Sequence, residues 1–208
     1  MEVAPERLAG WFDRFADRHG GVATTRTTPT HVLVTAEDGA TAEVAAAFGG
    51  FAPTGEAGGL AVGALLANAT APRRLGLLLV RLGGHSVGIA RDGVVEVSTT
   101  DSRQVHGRNK AGGWSQQRFA RRREGQARVA LHAAADDAAR VLLPRLPDLD
   151  AVVLGGDRQA LDALRADRRL EPVFALASPR VLDVPEPRRA VLDEAARRAR
   201  AVEVVVRD

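Results

Sequence analysis

The chain has no cysteine. That absence excludes a disulfide framework, a thiolate metal site and a cysteine nucleophile, and it fits a reducing compartment. Lysine is nearly as scarce: Lys110 stands alone among 29 basic residues, and all the others are arginines. Arginine does not titrate in the usual range, so the isoelectric point runs far above what a formal charge of only +3 suggests. Abundant arginine, alanine and glycine are also what GC-rich coding produces, so where the charge sits is better evidence than how much there is. Long apolar runs are missing too. Leu75–Val80 is hemmed in by Arg73, Arg74 and Arg81, and no stretch approaches the roughly 20 residues that cross a bilayer. The opening Met1-Glu2-Val3-Ala4-Pro5-Glu6 carries acid where a secretory signal carries base, and no apolar h-region follows. The expectation is a cytoplasmic protein without membrane contact. An apolar fraction of 45% over 208 residues supports a folded core.

The charge is concentrated. Between Arg103 and Arg128 the bases are Arg103, Arg108, Lys110, Arg118, Arg121, Arg122, Arg123 and Arg128, against the single acid Glu124, so this segment carries +7 and the rest of the chain −4. A mildly acidic protein with one strongly basic segment points that segment at a polyanion, where phosphate contacts supply sequence-independent affinity. A membrane surface is the weaker alternative.

The pattern predicts an α/β protein with α+β elements. Arg7–Arg18 places Leu8, Trp11, Phe12 and Phe15 at helical spacing and ends at Gly20-Gly21. Runs at 31–36 and 41–48 alternate and are joined through Asp38-Gly39, a hairpin signal. Residues 49–59 are rich in Gly, Ala and Pro, residues 60–69 suit a short helix, and a boundary near residue 70 divides a small N-terminal helix-plus-hairpin subdomain, 1–70, from 71–208. Three antiparallel strands are predicted at 75–82, 85–91 and 94–98, turned at Gly83-Gly84 and Asp92-Gly93. A polar basic loop, 99–113, feeds one long helix, 114–143, stopped by Pro144. The remainder alternates strand 151–154, helix 157–165, strand 181–184, helix 187–200 and strand 202–206, which predicts a mixed sheet with helices on its faces. Gly155-Gly156-Asp157 reads as a turn and helix cap more readily than as a phosphate cradle, since neither a dinucleotide fingerprint nor a Walker lysine is present.

The segment Arg108-Asn109-Lys110-Ala111-Gly112-Gly113-Trp114-Ser115-Gln116-Gln117-Arg118-Phe119-Ala120-Arg121-Arg122-Arg123 breaks several local rules together. Positive charge at a helix start is opposed by the peptide dipoles, at roughly 0.3 to 1 kcal/mol per charge, yet four arginines crowd it. An anion from a partner would relieve the conflict; the plainer reading is a solvated arginine face. Gly112 and Gly113 free the backbone of a loop that must reach into a crowded place, and Trp114 can stack on a base or pack. A glutamine amide has no useful pKa and cannot be a general base, but it can orient an attacking water or stabilise a developing oxyanion.

Gly113-Trp114-Ser115-Gln116 with Gln117-Arg118-Phe119 and Arg121-Arg122-Arg123 resembles the catalytic loop of the VLRF family, its actinobacterial branch above all. These are relatives of the middle domain of eukaryotic and archaeal class I peptide release factors. The order of strands, loop, long helix and following strand extends the resemblance over roughly residues 72–206, making 71–208 a release-factor-like catalytic domain. The resemblance implies a peptidyl-tRNA hydrolase acting on nascent chains held by the large ribosomal subunit. Gln116 matches the water-positioning glutamine by its Gly-x-x-Gln spacing. Trp114-Ser115 separates Gly112-Gly113 from that glutamine, unlike the release-factor signature, and Gln117 adjoins it, so either amide is a candidate. Arg108, Lys110, Arg118, Arg121, Arg122 and Arg123, with Gly112, Gly113 and Trp114, would contact tRNA or ribosomal RNA. No metal or other cofactor is required, and five histidines without cysteine make no zinc pattern.

The alternative is a non-catalytic module in which the same residues bind rRNA or tRNA. Asp101 and Asp157 could hold magnesium in a nuclease, but each has a turn or cap role available. Asp136-Asp137 reads as part of a solvated helix face, His106 as an exposed loop residue, and Ser115 lacks a histidine-acid pair. Oligomeric state is not legible.

Overall fold

The computed structural model describes residues 1–52, 54–81, 84–102 and 115–208, with 102 and 115–124 described by their backbone. The chain forms two compact units, Met1–Pro72 with Arg197–Asp208, and Arg73–Ala196.

The first unit begins with a two-residue strand β1 (Glu2–Val3) and helix α1 (Pro5–Arg18), followed by β2 (Val22–Thr27), β3 (His31–Ala36), β4 (Thr41–Ala45), β5 (Gly55–Gly58) and α2 (Gly63–Thr70). Leu8, Phe12 and Phe15 of α1 are buried, as their spacing predicts, against Val32 and Val34 of β3 and Ala42 and Val44 of β4. The β3–β4 hairpin pairs in register from His31↔Ala45 to Thr35↔Thr41. Strands β2 and β5 have no counterpart in the sequence reading. The polar run Val-Ala-Thr-Thr-Arg-Thr of β2 pairs with β3 and β5, and β5 lies within the Gly, Ala and Pro-rich stretch. Backbone pairing with neighbours, which local hydrophobicity does not report, holds both.

The second unit is built on a mixed sheet. Strands β6 (Arg74–Arg81), β7 (Gly84–Arg91) and β8 (Val94–Ser102) form the antiparallel meander. Its second turn carries positive φ at both Asp92 (51°) and Gly93 (83°), the backbone that Asp-Gly tolerates and that matches strand twist. Helix α3 (Ser115–Leu142) follows, then β9 (Ala151–Gly156), α4 (Arg158–Arg165), the short α5 (Glu171–Ala175), β10 (Ala177–Leu182) and α6 (Arg189–Ala199). The strand order is β10-β9-β6-β7-β8, with β9 parallel to both β6 and β10. One face of this sheet, carrying Leu78, Val80, Val87, Ile89, Val152 and Leu154, packs under α3, α4 and α5. The other face meets α6, where a Cβ on Gly88 would stand 2.9 Å from Leu192.

The last strand, β11 (Val202–Arg207), joins the first unit's sheet between β1 and β4, antiparallel to both. Its residues alternate, Val202 and Val204 buried and Glu203 and Val205 exposed, so one face of the strand joins the first unit's core.

Candidate RNA-binding and catalytic tip

The elements that frame the basic segment meet at one row of the second sheet. Gly156, Val80, His85 and Asp101 lie side by side across β9, β6, β7 and β8. Gly156 has a φ of 101°, and a Cβ there would fall on the Val80 carbonyl oxygen, so only glycine lets β9 end this close to β6. Asp157 then caps α4, its carboxylate accepting from the backbone N–H of Gln159 (2.8 Å) and Ala160 (3.4 Å). That is the cap the Gly-Gly-Asp sequence predicts, and it occupies the helix end that an anion would otherwise use.

Helix α3 lies over the row and is held in two ways. Small buried residues, Ala134, Ala135 and Ala138, bring it close to the sheet, and Val141 and Leu142 anchor its end. Polar contacts then set its position. His85, only 2% exposed, donates through Nε2 to the Asp137 carboxylate at 2.8 Å, and Arg140 reaches the other oxygen at 2.6 Å. One residue earlier, Asp136 accepts from Arg169 at 2.8 Å and meets His132 at 3.1 Å, and Arg169 also reaches Asp167 at 2.6 Å. The expected solvated face of Asp136-Asp137 is therefore corrected for Asp137: the residue ties α3 to a buried histidine 52 positions earlier. Burial acts to raise its carboxyl, but the His85 and Arg140 hydrogen bonds outweigh that and hold it below the usual carboxylate range. Asp136 is likewise held low, by Arg169 first and His132 after it, with partial desolvation opposing.

The helix starts well ahead of this anchorage. Among the α3 side chains described, Ala127 is the first to line the cleft at the sheet end and Ala134 the first that is buried. Gln116 stands eleven residues before Ala127, roughly 16 Å along the axis at 1.5 Å per residue. Gln116, Gln117 and Arg118 are the second to fourth residues of α3, and Arg121, Arg122 and Arg123 are its seventh to ninth, where the second turn passes into the third. No acid offsets them in the first turn, where the leading N–H groups lack intrahelical acceptors. The backbone thus brings the two glutamines and four arginines into consecutive turns at one helix end. Arg108, Lys110, Gly112, Gly113, Trp114 and His106 lie outside the described residues. Among the described residues no three His, Asp or Glu are grouped to hold a metal ion, and no helix is long and apolar enough to cross a membrane.

A model of the Actinobacteria/chloroflexi VLRF1 release factor family matches residues 73–205, more than half of the chain. The chain belongs to that family. The VLRF1 match begins at Arg73, where the second unit begins, and ends within β11. Membership in a release-factor family assigns the chain a role in translation. None of the curated proteins matches it. Among solved structures, an archaeal translation termination factor, aRF1, is similar over 95% of this chain and 70% of its own, at 12% identity and a TM-score of 0.48. A structure described only as an archaeal protein is similar over 78% of this chain and 48% of its own, at 12% identity and a TM-score of 0.41.

His85 and Asp137 are the site-positioning residues that sequence reasoning missed. A lone histidine between Gly84 and Ser86 carries no pattern, and the signal that could have found it is the isolated polar residue on an otherwise apolar strand face.

Proposed function

We propose that this VLRF1-family chain is a cytoplasmic peptidyl-tRNA hydrolase that releases nascent peptides held on the large ribosomal subunit. The observation that carries this reading is the helix end just described, where two uncharged amides and four arginines stand in consecutive turns ahead of the anchored part of α3. Water adds to the carbonyl carbon of the ester that joins peptide to tRNA. The acyl–oxygen bond breaks, the peptide leaves as a carboxylic acid, and the tRNA ribose recovers its hydroxyl. The Gln116 amide has both a donor and an acceptor end, so it can accept from the attacking water or donate to the developing oxyanion without changing charge. Gln117, one residue on, is the alternative carrier of that role. Arg118, Arg121, Arg122 and Arg123 lie where RNA phosphates would relieve their crowding at the helix end, and Arg108, Lys110, Gly112, Gly113 and Trp114 belong to the same contact.

The deciding experiment measures release of labelled peptide from isolated large-subunit nascent-chain complexes, with sedimentation of the protein on those particles in parallel. Gln116→Ala is expected to slow release by about 100- to 1,000-fold, the cost of losing one pre-placed transition-state donor, with co-sedimentation unchanged. Wild-type release by Gln116→Ala together with loss in Gln117→Ala would move the role by one residue. Wild-type release by both would leave a binding module and end the hydrolase reading.

A further inference from the structure

Between α3 and α4, at the end of β6, lies a cleft of about 140 Å³. Its walls are apolar: Val80 and Ala160, both buried, and the half-buried Ala130 and Leu131. Its polar side chains are Arg81 and Gln159, both exposed. A space of this size suits one aromatic ring, since an apolar cavity of about 150 Å³ holds benzene. The surroundings are basic. Arg128 on the same stretch of α3 and Arg158, next to Gln159, are exposed. The nearby acids offset them little: Asp157 is turned to its own helix amides, and Asp183 meets Arg81 at 3.3 Å while itself 93% exposed. Such an exposed pair exchanges readily for another anion.

Apolar walls exclude a free phosphate, and Arg81 in the lining, with exposed Arg128 and Arg158 next in the chain to the lining residues Ala127 and Gln159, disfavours a cationic guest. A flat ring joined to flanking anions satisfies both features, and an unpaired nucleotide is that ligand. We infer that this cleft takes one unpaired base of single-stranded RNA, the base between Val80, Ala130, Leu131 and Ala160, its edge toward the Gln159 amide, and its phosphates at Arg81, Arg128 and Arg158. The site is separate from the proposed hydrolysis. Ala130 follows Gln116 by 14 residues, roughly 21 Å along α3, so a strand touching both would be held here by a different nucleotide from the one at Gln116.

The test uses the full chain with isotope-labelled methyl groups, titrated with a uridine hexanucleotide and with a ribose-phosphate hexamer of equal length that lacks bases. The methyl resonances of Val80 and Leu131 shift by ring currents with the base-bearing strand and stay in place with the abasic one. Ala130→Phe, which fills the cleft from an accessible helix position, abolishes those shifts and weakens the hexanucleotide by about tenfold while leaving abasic binding as it was. Gln159→Leu, a surface change that leaves the cleft unfilled, weakens the hexanucleotide in the same direction and serves if Ala130→Phe does not fold. Equal shifts with both strands, no shift with either, or unchanged hexanucleotide affinity in a folded Ala130→Phe chain overturns the inference. An apolar peptide that moves these methyls when RNA does not overturns it in favour of a protein partner. Gln116→Ala is to be titrated alongside and behaves as wild type, so loss of peptide release and loss of base binding are read separately.

Discussion

Replacing His85 with alanine removes the donor that fixes Asp137, and its effect can be worked from the contacts. A hydrogen bond to a charged group contributes about 1.5 to 3 kcal/mol. Asp137 is not stranded by the change, because its side chain is 21% exposed and Arg140 still reaches its other oxygen, so the lower half of that range applies. Removing a fully covered ring beneath α3 leaves a void worth about 1 kcal/mol more. The expected loss is about 3 kcal/mol for the second unit. At a urea m-value of about 1 to 3 kcal/mol/M this moves the midpoint down by about 1 to 3 M. The assay is urea unfolding followed by circular dichroism, repeated for Asp137→Asn and the double variant. A coupling of about 1 kcal/mol or more is expected, since both single variants break the same contact. The pH dependence carries a sign. The Asp137 carboxyl is depressed in the folded chain, so its contribution is complete above its ordinary value near 3.9 and is lost as pH falls through the depressed one. Wild type therefore loses stability below about pH 4, and Asp137→Asn shows less of that loss. A His85→Ala loss under about 1 kcal/mol, or the absence of coupling, would refute the idea that this pair holds α3 to the sheet.

Gly156→Ala forces a Cβ onto the Val80 carbonyl at a φ of 101° and should destabilise by more than about 3 kcal/mol, read as a fall in the unfolding midpoint or as loss of soluble protein. Gly125→Ala goes the other way: a Cβ there meets nothing within 4 Å, so a helical residue 125 gains about 0.5 to 1 kcal/mol, and no gain would argue against helix at that position. Replacing Arg121, Arg122 and Arg123 with alanine should weaken particle binding and reduce the slope of log affinity against log salt by about 2, if each meets a single-strand phosphate. An unchanged slope would remove those arginines from the RNA contact.

Much of this molecule was legible before any coordinates. Asp38-Gly39 and Asp92-Gly93 announce their hairpins because a turn that needs positive φ selects its residues within two positions. Leu8, Phe12 and Phe15 announce α1, and the run at 151–154 announces β9, for the same local reason: period and punctuation are carried by neighbours in the chain. The conflict between arginines and the start of α3 is equally local, which is why the candidate tip could be named from its residues alone.

What the sequence by itself determined, then, is the set of elements whose causes lie within a few residues, and the segment whose residue types conflict with the element they open. Tertiary structure alone decided the rest. The last strand, β11, follows α6 directly yet pairs with β1 and β4 from the start of the chain, because hydrogen-bonding edges are matched in space. Polar β2 is a strand only because β3 and β5 flank it. His85 and Asp137 gained their meaning when a sheet row and a helix turn were brought to 2.8 Å. The physical reason is common to all three: a pairing between distant residues has its free energy in the contact itself, and neither partner carries a mark of it until the chain has closed the loop between them.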